Sequence, residues 1–254
     1  MNSPIVLLTD FGLRDPYAGI VKGVILSKAP KAAIVDLCHE LPPRDARAAA
    51  FMLRVSVPYF PKGSLFVCVV DPGVGSSRRI LWARTKKHQF LAPDNGLLSW
   101  LEDPVLELRS VQNEALFLPR VSATFHGRDV FAPVAGRLAA GLSPSRLGPA
   151  AREMVQCPWP APERRGESAR GEVLWVDRFG NAVTNLTSKE VAPTARIVFK
   201  GRSLGRVRGH YAQAGKGEAL ALFGSSGHVE LSIRDGDFAA RFKARLGDPV
   251  ESGK

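Results

Sequence analysis

Ser64-Leu65-Phe66-Val67-Cys68-Val69-Val70-Asp71-Pro72-Gly73-Val74-Gly75-Ser76-Ser77-Arg78-Arg79 is the stretch on which the fold turns. From Leu65 to Val70 the run is apolar without alternation, the pattern of a strand covered on both faces. Asp-Pro-Gly then stops it with a turn. A carboxylate and two guanidiniums are thereby set at the C-terminal end of a buried strand, and ligand crevices in open α/β sheets lie outside such ends. Asp71 is placed for chemistry, although a carboxylate before Pro-Gly is also an ordinary turn former.

Three further segments repeat the arrangement. Ile5 to Thr9 is an apolar run ending in Asp10-Phe11-Gly12, with Asp15 just before a helix-like stretch that opens at Pro16. Ser122-Ala123-Thr124-Phe125-His126-Gly127-Arg128-Asp129 sets a histidine between an aromatic and a glycine at the mouth of another helix. Val173 to Val176 leads into Asp177-Arg178-Phe179-Gly180-Asn181. Four polar clusters at strand ends point to a site more strongly than one does.

The first 150 residues alternate strand-like runs (5–9, 33–38, 65–70) with helical ones (17–28, 45–59), and a hairpin is expected around Lys86-Lys87. That alternation predicts an N-terminal α/β domain over 1–150, its mainly parallel sheet flanked by helices. Residues 151–170 turn to Pro, Arg, Glu and Ala, including Cys157-Pro158-Trp159-Pro160-Ala161-Pro162, and read as a linker because proline removes backbone donors. Short strand-like runs at 173–176, 196–199, 219–223 and 229–233 predict a smaller all-β C-terminal domain over 171–254.

Composition sets outer limits. At 254 residues and 45% hydrophobic, the chain can bury a core in each domain, and no apolar run is long enough to span a bilayer. The start of the chain lacks the basic, apolar and cleavage segments of a secretory signal, and Cys38, Cys68 and Cys157 are odd in number and widely spaced. The expectation is a cytoplasmic protein with reduced cysteines and no membrane partner. A net charge of +11 invites nucleic acid, but the basic residues are dispersed, with only small clusters at residues 84–88 and 163–165. No specific nucleic-acid partner is expected, since net charge alone speaks to nonspecific association. The five histidines show no metal-ligand spacing, and no Gly-x-Ser-x-Gly elbow or P-loop is present.

Asp10-Phe-Gly, Asp71-Pro-Gly-Val-Gly with Arg78, Thr124-Phe-His126-Gly-Arg-Asp129 and Asp177-Arg-Phe-Gly-Asn181 together resemble the S-adenosyl-L-methionine (SAM) hydroxide adenosyltransferases. These are SAM hydrolases related to fluorinases and chlorinases. The likeness runs from Pro4 to about Asp237 in the same motif order. It implies an α/β domain followed by a β domain, a homotrimer with sites at subunit interfaces, and attack of a water-derived oxygen on the ribose C5′ of SAM. Adenosine and L-methionine would be the products, with SAM as substrate and no cofactor or metal.

The resemblance carries a catalytic Asp, Arg and His onto Asp71, Arg78 and His126. Asp71 can accept the proton of the attacking water, His126 can orient that water, and Arg78 can pair with Asp71 and stabilise developing hydroxide. Asp10 suits the ribose hydroxyls, since a carboxylate offers two acceptors to a vicinal diol. Asp15 and Asp177 suit the methionine ammonium, and Asn181 an adenine edge. Phe125, Phe179 and Tyr211 suit the adenine ring, and Ser225 and Ser226 the carboxylate. Asp15 before Pro16 reads equally as a helix cap, each aromatic singly reads as core, and His39, His88, His210 and His228 read as packed or surface groups. A halide-using enzyme is the nearest alternative. In that branch the position of Asp71 resembles a tyrosine, and fluorinase positions matching Val74 and Gly127 carry hydroxyls. An ionised Asp71 would repel a desolvated halide. A non-catalytic SAM-binding module is the alternative from another class.

Overall fold

The structure is a computed structural model that describes residues 3–253. The described residues divide into two compact units, the first running to Pro158 and the second beginning at Trp159.

In the first unit, β1 (Ile5–Thr9), β2 (Ile34–Cys38), β3 (Leu65–Val69), β4 (Ile80–Arg84), β5 (Gln89–Pro93) and β6 (Glu107–Ser110) form one sheet in the order β2-β1-β3-β5-β4-β6. β1 and β3 are buried at every residue, as their unbroken apolar runs require. Ile5, Leu7, Leu65, Val67 and Val69 share a core with Val21 and Ile25 of α1 (Tyr17–Lys28) and with Val134 and Ala135 of α3 (Ala132–Ala139). On the other parity Phe66 stacks on Phe90 at 5.3 Å between ring centres and meets Phe60 edge-on. Phe60 follows α2 (Ala46–Ser56), which starts where the Asp45 side chain accepts from Ala48 N–H. The predicted helix over 45–59 ends early, and Val57–Tyr59 tighten into a 3-10 turn. Pro58 has no N–H with which to continue the α-helical ladder.

β1 pairs in parallel with β2 on one side and with β3 on the other, because the chain leaves β1 through α1 in one direction and returns past it through α2. The strand order therefore reverses between β1 and β3, and their C-terminal ends form the switch point at which open α/β sheets bind ligands. The register sets Thr9 opposite Val69, so Asp10 and Asp71 follow adjacent strands at nearly the same level.

In the second unit, β8 (Ser168–Val176) pairs with β7 (Glu163–Arg165), with β14 (Pro249–Gly253) and with β9 (Ala182–Thr187). The sheet runs onward through β10 (Arg196–Phe199) and β11 (Arg202–Arg206) at one end, and through β13 (His228–Ile233) and β12 (Ala219–Phe223) at the other. Just past β11, Arg208 N–H donates to Ala221 O of β12 at 2.8 Å, so the sheet curls towards closure. Helix α4 (Phe238–Phe242) buries Phe238 completely against Phe199, 5.3 Å away between ring centres.

The fold expectation fails in both halves. The first sheet is mixed, because β4 is antiparallel to both β5 and β6. The second unit is a nearly closed antiparallel barrel that includes a helix, rather than a small all-β domain. The hairpin expected around Lys86-Lys87 is present as β4 and β5, and it turns β4 against the parallel strands. The five-residue α4 is too short to display a helical period. No helix of the described residues is long and apolar enough to cross a membrane.

Candidate active site

Asp71 lies just past the end of β3, and Arg78 reaches back over the intervening turn to grip it. Arg78 Nε lies 3.0 and 2.9 Å from the two Asp71 oxygens, and Nη2 also donates to Oδ2. The pair is largely withdrawn from water, with side-chain exposures of 12% and 5%. The two guanidiniums of the motif part company here. Arg79 turns to Asp94, which also accepts from Val155 N–H, and so ties the sheet to the segment at 153–155.

Arg78 Nη2 also lies 2.8 Å from His126 Nδ1. A guanidinium can only donate, so Nδ1 is an acceptor and the neutral ring carries its proton on Nε2. Burial, and then the charge of Arg78, hold the His126 pKa below its ordinary value against the opposing pull of Asp71 and Asp129. The site thus holds a carboxylate, a guanidinium bonded to it through two nitrogens, and a neutral imidazole in one chain of hydrogen bonds.

Two loops must meet for this. Gly75, at φ +79°, sits so close to the 122–126 segment that an added Cβ would lie 2.4 Å from Ala123 O. Glycine is required there both for the left-handed backbone and for the approach. His126 leads into a π-helical turn over Gly127–Phe131 that continues as α3. Pro133 has no N–H to give to Asp129 O four residues back, and that carbonyl accepts from Leu118 N–H at 2.9 Å instead. The buried Asp129 carboxylate binds Arg128 and accepts from Ser122 N–H. Burial opposes its ionisation, but these hydrogen bonds prevail and hold its pKa low. Asp129 thus fixes the loop that presents His126.

Beside this cluster, Asp10 Oδ2 accepts from Arg44 N–H at 2.7 Å, and Arg44 itself is held at φ 68°. Phe125 meets Phe11 and Tyr17 edge-on, at 5.8 and 5.2 Å between ring centres, and Arg128 lies over its ring. Asp15 caps nothing: α1 begins after Pro16 with no side-chain cap, and Asp15 stands exposed. An open cleft of about 740 Å3 in this unit is lined by Arg78 and His126 with Ser76, Ser77, Phe117 and Val121.

The second unit holds the remaining candidates in the 177–181 turn, at Tyr211 and in the turn between β12 and β13. Asp177 Oδ1 accepts from the N–H groups of Phe179 and Asn181, and Oδ2 accepts from the Asn181 amide at 2.9 Å. Phe179 is 76% exposed, which removes the reading of it as core. Tyr211 donates its hydroxyl to Glu230, a buried carboxylate that also accepts from Ser232 at 2.9 Å. Burial, that bond, and the charges of Glu230 and Asp177 raise the Tyr211 pKa. Ser225 and Ser226 stand exposed in the turn between β12 and β13, beside Gly224, which abuts Glu230.

A family model described as the SAM hydroxide adenosyltransferase N-terminal domain matches residues 5–148, and its C-terminal counterpart matches residues 171–251. The chain belongs to the SAM hydroxide adenosyltransferase family. An (R)-S-adenosyl-L-methionine hydrolase of Thermus thermophilus is 42% identical to it over 97% of this chain and 98% of its own length. A fluorinase of Nocardia brasiliensis is more distant, at 26% identity over 97% and 95%. A crystal structure of an uncharacterised conserved protein from Thermotoga maritima matches with a TM-score of 0.92 at 35% identity, covering 98% of this chain and 100% of that one.

Sequence reasoning passed over Phe11, Tyr17, Asp129 and Glu230 in this family member. Phe11 and Asp129 lie inside quoted motifs and were legible as neighbours of the site. Tyr17 and Glu230 sit in a helix and a strand where nothing local marks them. At Gly127 an added Cβ would lie 2.9 Å from the Phe11 ring and 3.3 Å from Phe125, so a hydroxyl-bearing residue there would have to displace Phe11.

Proposed function

We propose that this chain is a SAM hydrolase that forms adenosine and L-methionine, and that Asp71, Arg78 and His126 activate the water. The observation that carries the reading is the three-membered hydrogen-bonded cluster beside Asp10 at the end of β1 and β3. SAM leaves a sulfonium sulfur as neutral thioether, so the leaving group needs no proton. The demand falls on the nucleophile. Asp71 accepts a hydrogen of the water and takes its proton as the oxygen bonds to C5′ and the C5′–S electron pair passes to sulfur. Arg78 keeps Asp71 oriented and stabilises charge on the incoming oxygen, and the Nε2–H of His126 orients that oxygen.

In this reading Asp10 binds the ribose diol, and Phe125, Phe179 and Tyr211 enclose the adenine. The remaining amide hydrogen and the carbonyl of Asn181 read the adenine edge. Asp15 and Asp177 face the methionine ammonium, and Ser225 and Ser226 its carboxylate. No cofactor or metal takes part. The enzyme is a cytoplasmic homotrimer in which the first unit of one chain and the second unit of its neighbour complete each site. The relatives named SAM hydrolases are nearer than the fluorinase, and the crowding at Gly127 and the carboxylate at 71 favour water over halide. Incubation with SAM, with and without chloride, fluoride and EDTA, tests this. Adenosine and methionine are expected in every arm. A halogenated nucleoside as main product, or binding of SAM without turnover, contradicts it.

A further inference from the structure

His39 follows β2 and is 3% exposed. Its Nε2 lies 3.0 Å from Asp36 Oδ1, and Asp36 also binds Lys22 at 2.6 Å. Burial opposes ionisation of Asp36, but the hydrogen bonds from Lys22 and His39 outweigh it and keep its carboxyl below the ordinary range. An ionised carboxylate only accepts, so Nε2 carries the proton of that bond. Thr9 Oγ1 stands 2.8 Å from the ring's Nδ1 and itself accepts from Phe11 N–H. The Thr9 side chain is therefore tied to the His39 ring on one side and to the Phe11 main chain on the other. The main chain of the same histidine grips the other flank, because Gly12 N–H donates to His39 O at 2.7 Å. Residues 9 and 12 are thus both held by His39, and Asp10 lies between them with one oxygen on Arg44 N–H.

We propose that His39 is a positioning residue: through Thr9 it fixes the Asp10 carboxylate where it meets the ribose diol. The inference rests on the reading of Asp10 as the diol acceptor. A buried imidazole tied to a carboxylate has one orientation, and it passes that orientation to the last residue of β1. Without it the Asp10 loop retains its backbone bonds but loses the side-chain anchor that sets the angle of the carboxylate.

The test is calorimetric binding of adenosine and of 2′,3′-dideoxyadenosine to wild type, His39→Ala, Thr9→Val and Thr9→Ser. Wild type should prefer adenosine. His39→Ala and Thr9→Val should lose about tenfold in adenosine affinity, the scale of one well-placed hydrogen bond, and bind the dideoxynucleoside as wild type does. Thr9→Ser keeps the hydroxyl and should restore adenosine binding. With SAM, KM should rise while kcat stays within about threefold. Thr9→Val preserves shape in the strand, so it decides the matter if His39→Ala does not fold. Equal weakening of both nucleosides, or no change in either, overturns the role of His39 and leaves Asp10 standing. A wild type that does not distinguish the two nucleosides overturns the diol reading of Asp10 and the inference with it.

Discussion

Asp71 meets Arg78 through both carboxylate oxygens, so a neutral isostere tests its charge and truncation tests its presence. Asp71→Ala should lose about 10²- to 10⁴-fold in kcat with SAM affinity nearly kept, the pattern of a group acting in the transition state, and Asp71→Asn should fall in the same range. Single-turnover kinetics with a separate binding titration check both. Wild-type turnover in Asp71→Asn would remove the carboxylate from the mechanism. His126 gives a pH signature. Its ordinary pKa of 6.5 is lowered, first by burial and then by Arg78, so protonation, which must displace the Arg78 N–H from Nδ1, begins only below that value. Activity that needs the neutral ring is full above pH 6.5 and falls as the pH drops through the lowered value. Stability follows the same sign, since the unfolded chain binds this proton more readily than the folded one. The acid limb of the kcat/KM profile should lie below 6.5, and a limb at or above 6.5 would contradict the assignment. Asp10 and Asp71 were legible in the sequence because each ends an apolar run with a glycine two residues on, and His126 because it stands between an aromatic and a glycine at the mouth of a helix. The pairing of Asp177 with its own turn was not, since nothing in Asp-Arg-Phe-Gly-Asn says whether the carboxylate faces a ligand or the turn's own N–H groups.

At the level of elements, the site depends on two loops held in contact. Gly75→Ala forces a side chain into a left-handed position and against Ala123 O. It should destabilise the protein by about 1–3 kcal/mol, read by chemical denaturation, and should reduce kcat by separating Arg78 from His126. A variant of wild-type stability and turnover would show that the close approach does not matter. The strands β1 and β3 and the helices α1 and α2 were readable because their apolar patterns are long and bounded by Pro, Gly or a capping Asp. β6, Glu107–Ser110, carries two charges in four residues and pairs at a sheet edge, so no apolar signal announces it. The π-helical turn at Gly127–Phe131 escaped for another reason: Pro133 redirects the Asp129 carbonyl to Leu118, a long-range consequence that no local pattern contains.

For the whole molecule, the proposal of a trimer with shared sites predicts complementation. Asp71→Ala chains mixed with Asn181→Ala chains, under conditions that exchange subunits, should regain activity at boundaries where two unmutated units meet. Verified mixed trimers without activity would place each site within one chain. The alternation of strands and helices made parallel strands with a switch point at the ends of β1 and β3 foreseeable. The antiparallel pairing of β4 with β5 was foreseeable as the hairpin around Lys86-Lys87, but its pairing with β6 and the near closure of the barrel were not, because those are set by pairings far apart in the chain. The central claim is that water, activated by Asp71, replaces methionine at C5′. Reaction of SAM in oxygen-18-labelled water with chloride and fluoride present, followed by mass spectrometry of the nucleoside, tests it most directly. The account predicts adenosine carrying one oxygen-18 at its 5′ position, formed by wild type and nearly abolished in Asp71→Asn. A 5′-halogenated nucleoside, or adenosine without the label, would contradict it.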